Sequence, residues 1–244
     1  MTQSRFFRER CYIDGGWVDG VTVFKVTNPA TGEIIGGAPR LGRAETARAI
    51  DAAHSAFLSW REKPAADRAD FCRKFYQALM DNQKELARIL TIEMGKPLKE
   101  AMGEVAYAAA FFRWFGEEAR RIYGDVIPAP WADKRIIVTR EPVGVVGSIT
   151  PWNFPTAMIA RKAAAALGAG CTIVAKPASQ TPFSALAYGV IADDLGIPKG
   201  VLNIITGAAG EIADEMCENP KVRKITFTGS TEIGKQLASK AMLH

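Results

Sequence analysis

Three short segments of this 244-residue chain hold residues whose types and spacing suit chemistry, and each follows a run of apolar residues. TPWNFP (150–155) places Asn153 just ahead of Pro155. An asparagine amide there either donates to a developing oxyanion or simply closes a turn, and proline fits the first turn of a helix. KPASQTP (176–182) sets the Lys176 cation at the end of an apolar run, with Thr181 and Pro182 opening the next helix. Lysine is also commonplace at a loop entrance. GSTEIG (229–234) carries Gly229, Ser230 and Gly234. A glycine turn leading into a helix aims backbone N–H groups and the positive end of the helix dipole at a phosphate. The segment falls short of a full GxGxxG motif and is a weak signal alone.

The elements that must position these segments repeat. GVVGSIT (144–150), CTIVAKP (171–177), VLNIITG (201–207) and KITFTGS (224–230) are short apolar strands, each followed by a helical run. That alternation predicts an α/β fold, a Rossmann-like parallel sheet with helices on both faces. Ligands of such sheets bind at the carboxyl ends of the strands, where the three segments fall. Upstream, residues 11–40 hold strand-like runs broken by turns, and residues 44–121 turn helical. AETARAIDAAHSAFLSW is one helix by its three-and-four spacing, and RADFCRKFYQALMDNQKELARILTIEMGK continues the period until Gly95 and Pro97 stop it. KEAMGEVAYAAAFFRWFGEEARRI is a third, and its Phe111, Phe112, Trp114 and Phe115 are expected in the core. GDVIPAPWADKRIIVTREP (124–142) predicts a β-hairpin turning near Asp133 and Lys134.

Composition excludes several classes. Apolar residues make up 48% and charged residues 23%, an ordinary globular mix. The net charge is +5, but acids interleave with the basic residues, so a nucleic-acid partner is not expected. His54 and His244 lie far apart with no cysteine beside them, so no metal site is expected. Cys11, Cys72, Cys171 and Cys217 form no CxxC pair, which fits a reducing, cytoplasmic setting. The start, MTQSRFFRER, lacks the apolar stretch of a secretory signal, and the run around Ala163–Ala175 is too short to span a membrane.

Taken together, YIDGGW, TNPATGEII, EMGKPLKEAMGEV, EPVGVVGSITPWNFP, GAGCTIVAKPASQTPFSALA and ITFTGSTEIG resemble the NAD(P)-dependent aldehyde dehydrogenase superfamily, most closely its succinate-semialdehyde dehydrogenases. The resemblance runs from about Tyr12 to Met242. It implies that Asn153 helps to stabilise the oxyanion formed on the aldehyde. Thr150, Trp152, Lys176, Pro177, Ala178 and Ser179 then match the loops around the nicotinamide side and the adenosine ribose. Gly229 and Ser230 match the turn at the pyrophosphate, with Ile233 beside it. Relatives that prefer NAD often carry glutamate where Ser179 stands, and a carboxylate there would repel a 2′-phosphate. Serine near Lys176 therefore implies NADP, with NAD the alternative. Arg161 matches an arginine that the succinate-semialdehyde group sets near the substrate carboxylate; a solvated helix cation is the other reading.

The same resemblance divides the chain into residues 1–123 (strands and helices of the cofactor-binding domain), the 124–142 hairpin of an oligomerisation element, and the βα repeats of 143–244. It implies a homo-oligomer for the family, with the family's C-terminal oligomerisation strand expected to be absent from this chain. The family's nucleophilic cysteine and general-base glutamate lie in segments resembling GQxC and ELGG, downstream of GSTEIG. His244 comes before either, and none of the four cysteines has the nucleophile's context. The chain is thus expected to be a truncated part, without the catalytic domain and the sheet's last strand, and inactive alone. The alternative is a non-catalytic nucleotide-binding fragment or a decayed gene product.

Overall fold

The computed structural model describes residues 4–242. The chain opens with β1 (Cys11–Ile13), β2 (Gly16–Val18), β3 (Val23–Thr27) and β4 (Ile34–Pro39). Four helices follow: α1 (Arg43–Trp60), α2 (Ala65–Asp81), α3 (Gln83–Met94) and α4 (Leu98–Ala119). A hairpin of β5 (Asp125–Ile127) and β6 (Ile136–Val138) leads into β7 (Val145–Ile149), α5 (Pro155–Gly168), β8 (Thr172–Lys176) and α6 (Phe183–Asp194). The chain continues through β9 (Leu202–Ile204), α7 (Ala209–Glu218), β10 (Val222–Phe227) and α8 (Thr231–Ala241). The last helical run of the sequence, expected to break off after Ala241 into MLH, is α8; Met242 caps it, and residues 243 and 244 lie outside the described residues.

The four strands anticipated by alternation form the parallel part of one sheet, in the order β10-β7-β8-β9. β1 and β2 extend it antiparallel beyond β9, through Tyr12 opposite Ile204. Successive strand residues face opposite sides. Val146, Ile173, Ala175 and Leu202 point into a core shared with α2, α4, α5 and α6. Val145, Val174 and Ile205 point into a second core, under α1 and α7.

Two expectations change. The helical run from Arg68 to Lys96 is two helices, broken at Asn82, whose side-chain amide donates to the Ala78 carbonyl and competes with the helical ladder. Among the α4 aromatics only Phe112 is fully buried; Trp114, two residues and about 200° further round the helix, is 57% exposed.

The order of the strands fixes where a ligand can enter. From β7 the chain steps to β8 and β9 with α5 and α6 on one face, then returns past β7 to β10 with α7 on the other. The direction reverses between β7 and β10, and α5 and α8 leave those two strands on opposite sides of the sheet. Such a switch point leaves a crevice outside the strand ends.

Candidate active site and dinucleotide crevice

Backbone bonds gather the three strand-end loops. The Thr150 N–H donates to the Lys176 carbonyl at 3.1 Å, and the Thr228 N–H donates to the Ile149 carbonyl at 3.2 Å. The TPWNFP, KPASQTP and GSTEIG segments therefore leave adjacent strands at one end of the sheet.

In the first loop Trp152, Asn153 and Phe154 are exposed, and Pro155 occupies the first turn of α5 as its fixed φ allows. The Asn153 side-chain amide bonds to none of the described residues, while its carbonyl accepts from Lys96 Nζ at 3.2 Å. The start of α5 is held from beneath. Glu104 Oε1 accepts from the Thr156 and Ala157 N–H groups at 2.9 and 3.1 Å, its other oxygen pairs with Lys96, and Tyr188 Oη donates to the Thr156 carbonyl.

The second loop shows the same device. Glu93 accepts from the Phe183 and Ser184 N–H groups, both at 2.8 Å, and so caps α6. Burial pushes its carboxyl up to about 7, against the opposing pull of those donors. Both glutamates lie in buried stripes of their helices, Glu93 with Leu86, Ile89 and Leu90, and Glu104 with Ala101, Val105 and Ala108. A charged residue at a core-facing position is the sequence signal that could have found them.

Lys176 closes β8 and is 6% exposed. Burial alone lowers its pKa, and no carboxylate among the described residues pairs with it. Beside it the Thr150 hydroxyl is buried without a partner. Pro177 is buried, and Ala178 and Ser179 are half-buried in the turn that ends with the Thr181 N–H donating to the Ala178 carbonyl. Ser179 and Trp152 meet in a cleft of about 480 Å³ that also touches Lys25, Thr27, Glu93 and Gln180.

The third loop differs from the other two. Gly229 and Ser230 are exposed, and the Ser230 hydroxyl accepts from the Ile233 N–H at 3.4 Å. A Cβ at Gly229 would stand 2.4 Å from the Phe227 ring, so glycine lets the turn close over that ring. Ile233 is 45% exposed.

Arg161 sits two turns into α5 rather than at the strand ends. Its guanidinium donates to Tyr107 Oη at 2.8 Å, lies 4.9 Å from the centre of the Phe111 ring, and leaves Nε buried without a partner. It lines a groove of about 540 Å³ with Phe111, Phe115 and Lys224, and none of the strand-end residues reaches that groove. Lys162, not singled out from the sequence, is 9% exposed and spans the crevice to the Thr226 and Thr228 hydroxyls at 3.2 and 2.8 Å.

All four cysteines are free and buried. Burial pushes the Cys11 thiol up to about 11 and that of Cys72 to about 12, and raises that of Cys217. A nucleophilic thiolate needs the opposite shift and access to substrate. Among the described residues no cluster of histidine, cysteine, aspartate and glutamate suits a metal ion, and no helix is long and apolar enough to cross a membrane.

Glutarate-semialdehyde dehydrogenase of Pseudomonas aeruginosa is 58% identical over 243 residues, 98% of this chain and 50% of the relative. The NADP(+) succinate-semialdehyde dehydrogenase of Escherichia coli is 53% identical over 97% of this chain and 50% of its own length. The crystal structure of succinate-semialdehyde dehydrogenase from Burkholderia pseudomallei superposes with a TM-score of 0.98 at 50% identity, covering 100% of this chain and 51% of that one. The chain spans about half the length of the curated relatives it matches. The sequence model of the aldehyde dehydrogenase family matches residues 17–244, and the chain belongs to that family.

Proposed function

We propose that this member of the aldehyde dehydrogenase family forms the dinucleotide-holding part of an enzyme that oxidises a semialdehyde with a distal carboxylate. The substrate class is succinate semialdehyde or its one-carbon-longer homologue, and the cofactor is NADP. The carrying observation is the buried Lys176 ammonium, with no counter-ion among the described residues, next to the Thr150 hydroxyl, likewise without a partner among them, at the strand ends. A buried charge is costly unless something pairs with it, and an anionic ligand with sugar hydroxyls fits both groups.

When bound, the cofactor supplies the hydride acceptor. Lys176, Pro177, Ala178 and Ser179 would hold its ribose and 2′-phosphate, and Thr150 and Trp152 would flank the nicotinamide side. The α8 turn, Gly229 and Ser230 with Ile233 beside it, would face the pyrophosphate. This assignment is supported by the caps elsewhere: a buried carboxylate already fills the starts of α5 and α6, which makes both poor places for a phosphate. Asn153 would donate its free amide to the oxygen of the aldehyde as negative charge develops there. Arg161 would answer the distal carboxylate with the part of its guanidinium that the bond to Tyr107 Oη leaves free. The exposed apolar face of the β5–β6 hairpin, with Val126 77% and Ile137 69% exposed, suits assembly with further copies.

The 244 residues alone would bind nucleotide without turnover, because each of their thiols is buried. Calorimetric titration tests the cofactor reading. NADP should bind more tightly than NAD, and Ser179→Glu should reverse the order by about 1–3 kcal/mol. Equal or tighter NAD binding by the unaltered protein would sink it. In the full-length enzyme Arg161→Leu should raise KM for succinate semialdehyde far more than for an uncharged aldehyde of similar length; equal effects would make Arg161 structural.

A further inference from the structure

We infer that the buried Lys96–Glu104 pair is a positioning device for Asn153, setting the backbone from which the oxyanion donor projects. The inference rests on the role proposed above for Asn153. An exposed loop residue can stabilise an oxyanion only if its backbone is fixed, because a displacement of about 1 Å costs on the order of 100-fold in rate. Asn153 is exposed, flanked by exposed Trp152 and Phe154, and its side chain is tied to nothing among the described residues. What fixes it arrives through the backbone.

Two elements outside the parallel sheet supply the hold. Lys96, in the turn between α3 and α4, donates to the Asn153 carbonyl and lies 4.1 Å from the centre of the Phe154 ring. Glu104, on α4, accepts from the N–H groups of Thr156 and Ala157, three and four residues further on. The two side chains pair with each other and are 8% and 1% exposed. One buried unit therefore grips the loop on both sides of Pro155. A purely structural pair would need only the cap. The ammonium bond to the Asn153 carbonyl adds nothing to α5, but it sets the peptide that carries the side chain.

The test uses the whole enzyme of which these residues form the dinucleotide-holding part, assayed with succinate semialdehyde and NADP. Lys96→Met alone strands a buried carboxylate, so the decisive variant combines Lys96→Met with Glu104→Gln. This double variant keeps an oxygen for the Thr156 and Ala157 N–H groups and buries no net charge; it removes the donor to Asn153 together with the ammonium's contact with the Phe154 ring. It should unfold near the wild-type denaturant midpoint and bind NADP within about twofold, while kcat falls about 10–100-fold at nearly constant KM. Lys96→Arg, which keeps charge and donors, should recover most of the rate. Asn153→Ala is the control for the underlying reading. If it lowers kcat while the double variant turns over like wild type, the positioning inference is wrong and the site reading stands. A fall in kcat matched by lost stability and lost NADP affinity would make the pair merely structural and overturn the inference as well. If Asn153→Ala changes nothing, or the wild-type enzyme does not turn over, the site reading fails and the inference falls with it.

Discussion

The starts of α5 and α6 and the start of α8 answer the same physical problem in opposite ways. Each follows a parallel strand and presents N–H groups with no partner inside the helix. At α5 and α6 a glutamate from the helical layer reaches in, and both carboxylates are at most 3% exposed. At α8 the cap is the helix's own Ser230, exposed to solvent. The difference separates two jobs within one βα grammar. A helix start closed by a buried anion is a fixed mount for the loop before it, whereas one left open to solvent keeps its dipole for a ligand.

The largest effect expected from breaking this contrast is at a closed end. Glu104→Ala removes the acceptor for two buried N–H groups and leaves the Lys96 ammonium buried without its partner. Stability should fall by about 3–5 kcal/mol, the usual scale for breaking a buried pair. Equilibrium denaturant unfolding reads it, and a loss under about 1 kcal/mol would mean that water reaches this cap and that the end is not closed.

The parallel strands were legible because both of their faces are covered. VVGSI and TIVAK read as continuous apolar runs, which is what a sheet between two helical layers requires. The strand-end segments were legible for the same reason, since topology makes those ends the place for ligands. The two mounts were not. Glu93 and Glu104 break the apolar stripes of their helices, but the N–H groups they cap lie 52 to 91 positions away in sequence, and nothing local names them. The join between β1 and β9 was hidden likewise: Tyr12 and Ile204 pair across nearly the whole chain, and nothing local marks β1 as the extension of a parallel sheet. Trp114 misled because Phe112, the aromatic that α4 buries, lies about 200° away round the helix.

A second, somewhat smaller effect concerns pH at the α6 mount. The Glu93 carboxyl is raised from an ordinary value of 4.5 to about 7, chiefly by burial. Between those values the folded protein keeps a proton that the unfolded chain releases. The stabilising contribution is therefore complete below about pH 4.5 and is lost as pH rises through about 7. Comparing wild type with Glu93→Gln isolates it. The difference in unfolding free energy should shrink with rising pH across that window, by up to about 3 kcal/mol. A difference that is flat or grows with pH would show a carboxylate ionised throughout, held by the Phe183 and Ser184 N–H groups strongly enough to outweigh its burial.

The smallest stability effect belongs to the open end, and it is the sharpest test of the contrast. Ser230→Ala should cost about 0.5–1 kcal/mol, because the freed N–H of Ile233 is exposed and can turn to water. Ser230→Asp asks more. A carboxylate at this position still caps the helix and complements its dipole, so stability should hold or rise by about 0.3–1 kcal/mol. It would also make the start of α8 resemble those of α5 and α6, with negative charge where the cofactor's pyrophosphate is proposed to lie. NADP affinity should then drop about tenfold or more, a penalty of about 1.4 kcal/mol, and added salt should soften it because the site is exposed. The two measurements must move apart for the contrast to hold. If Ser230→Asp leaves NADP binding unchanged at low salt, the open end is not where the phosphates sit, and the exposed Gly229–Ser230 turn is only a helix start.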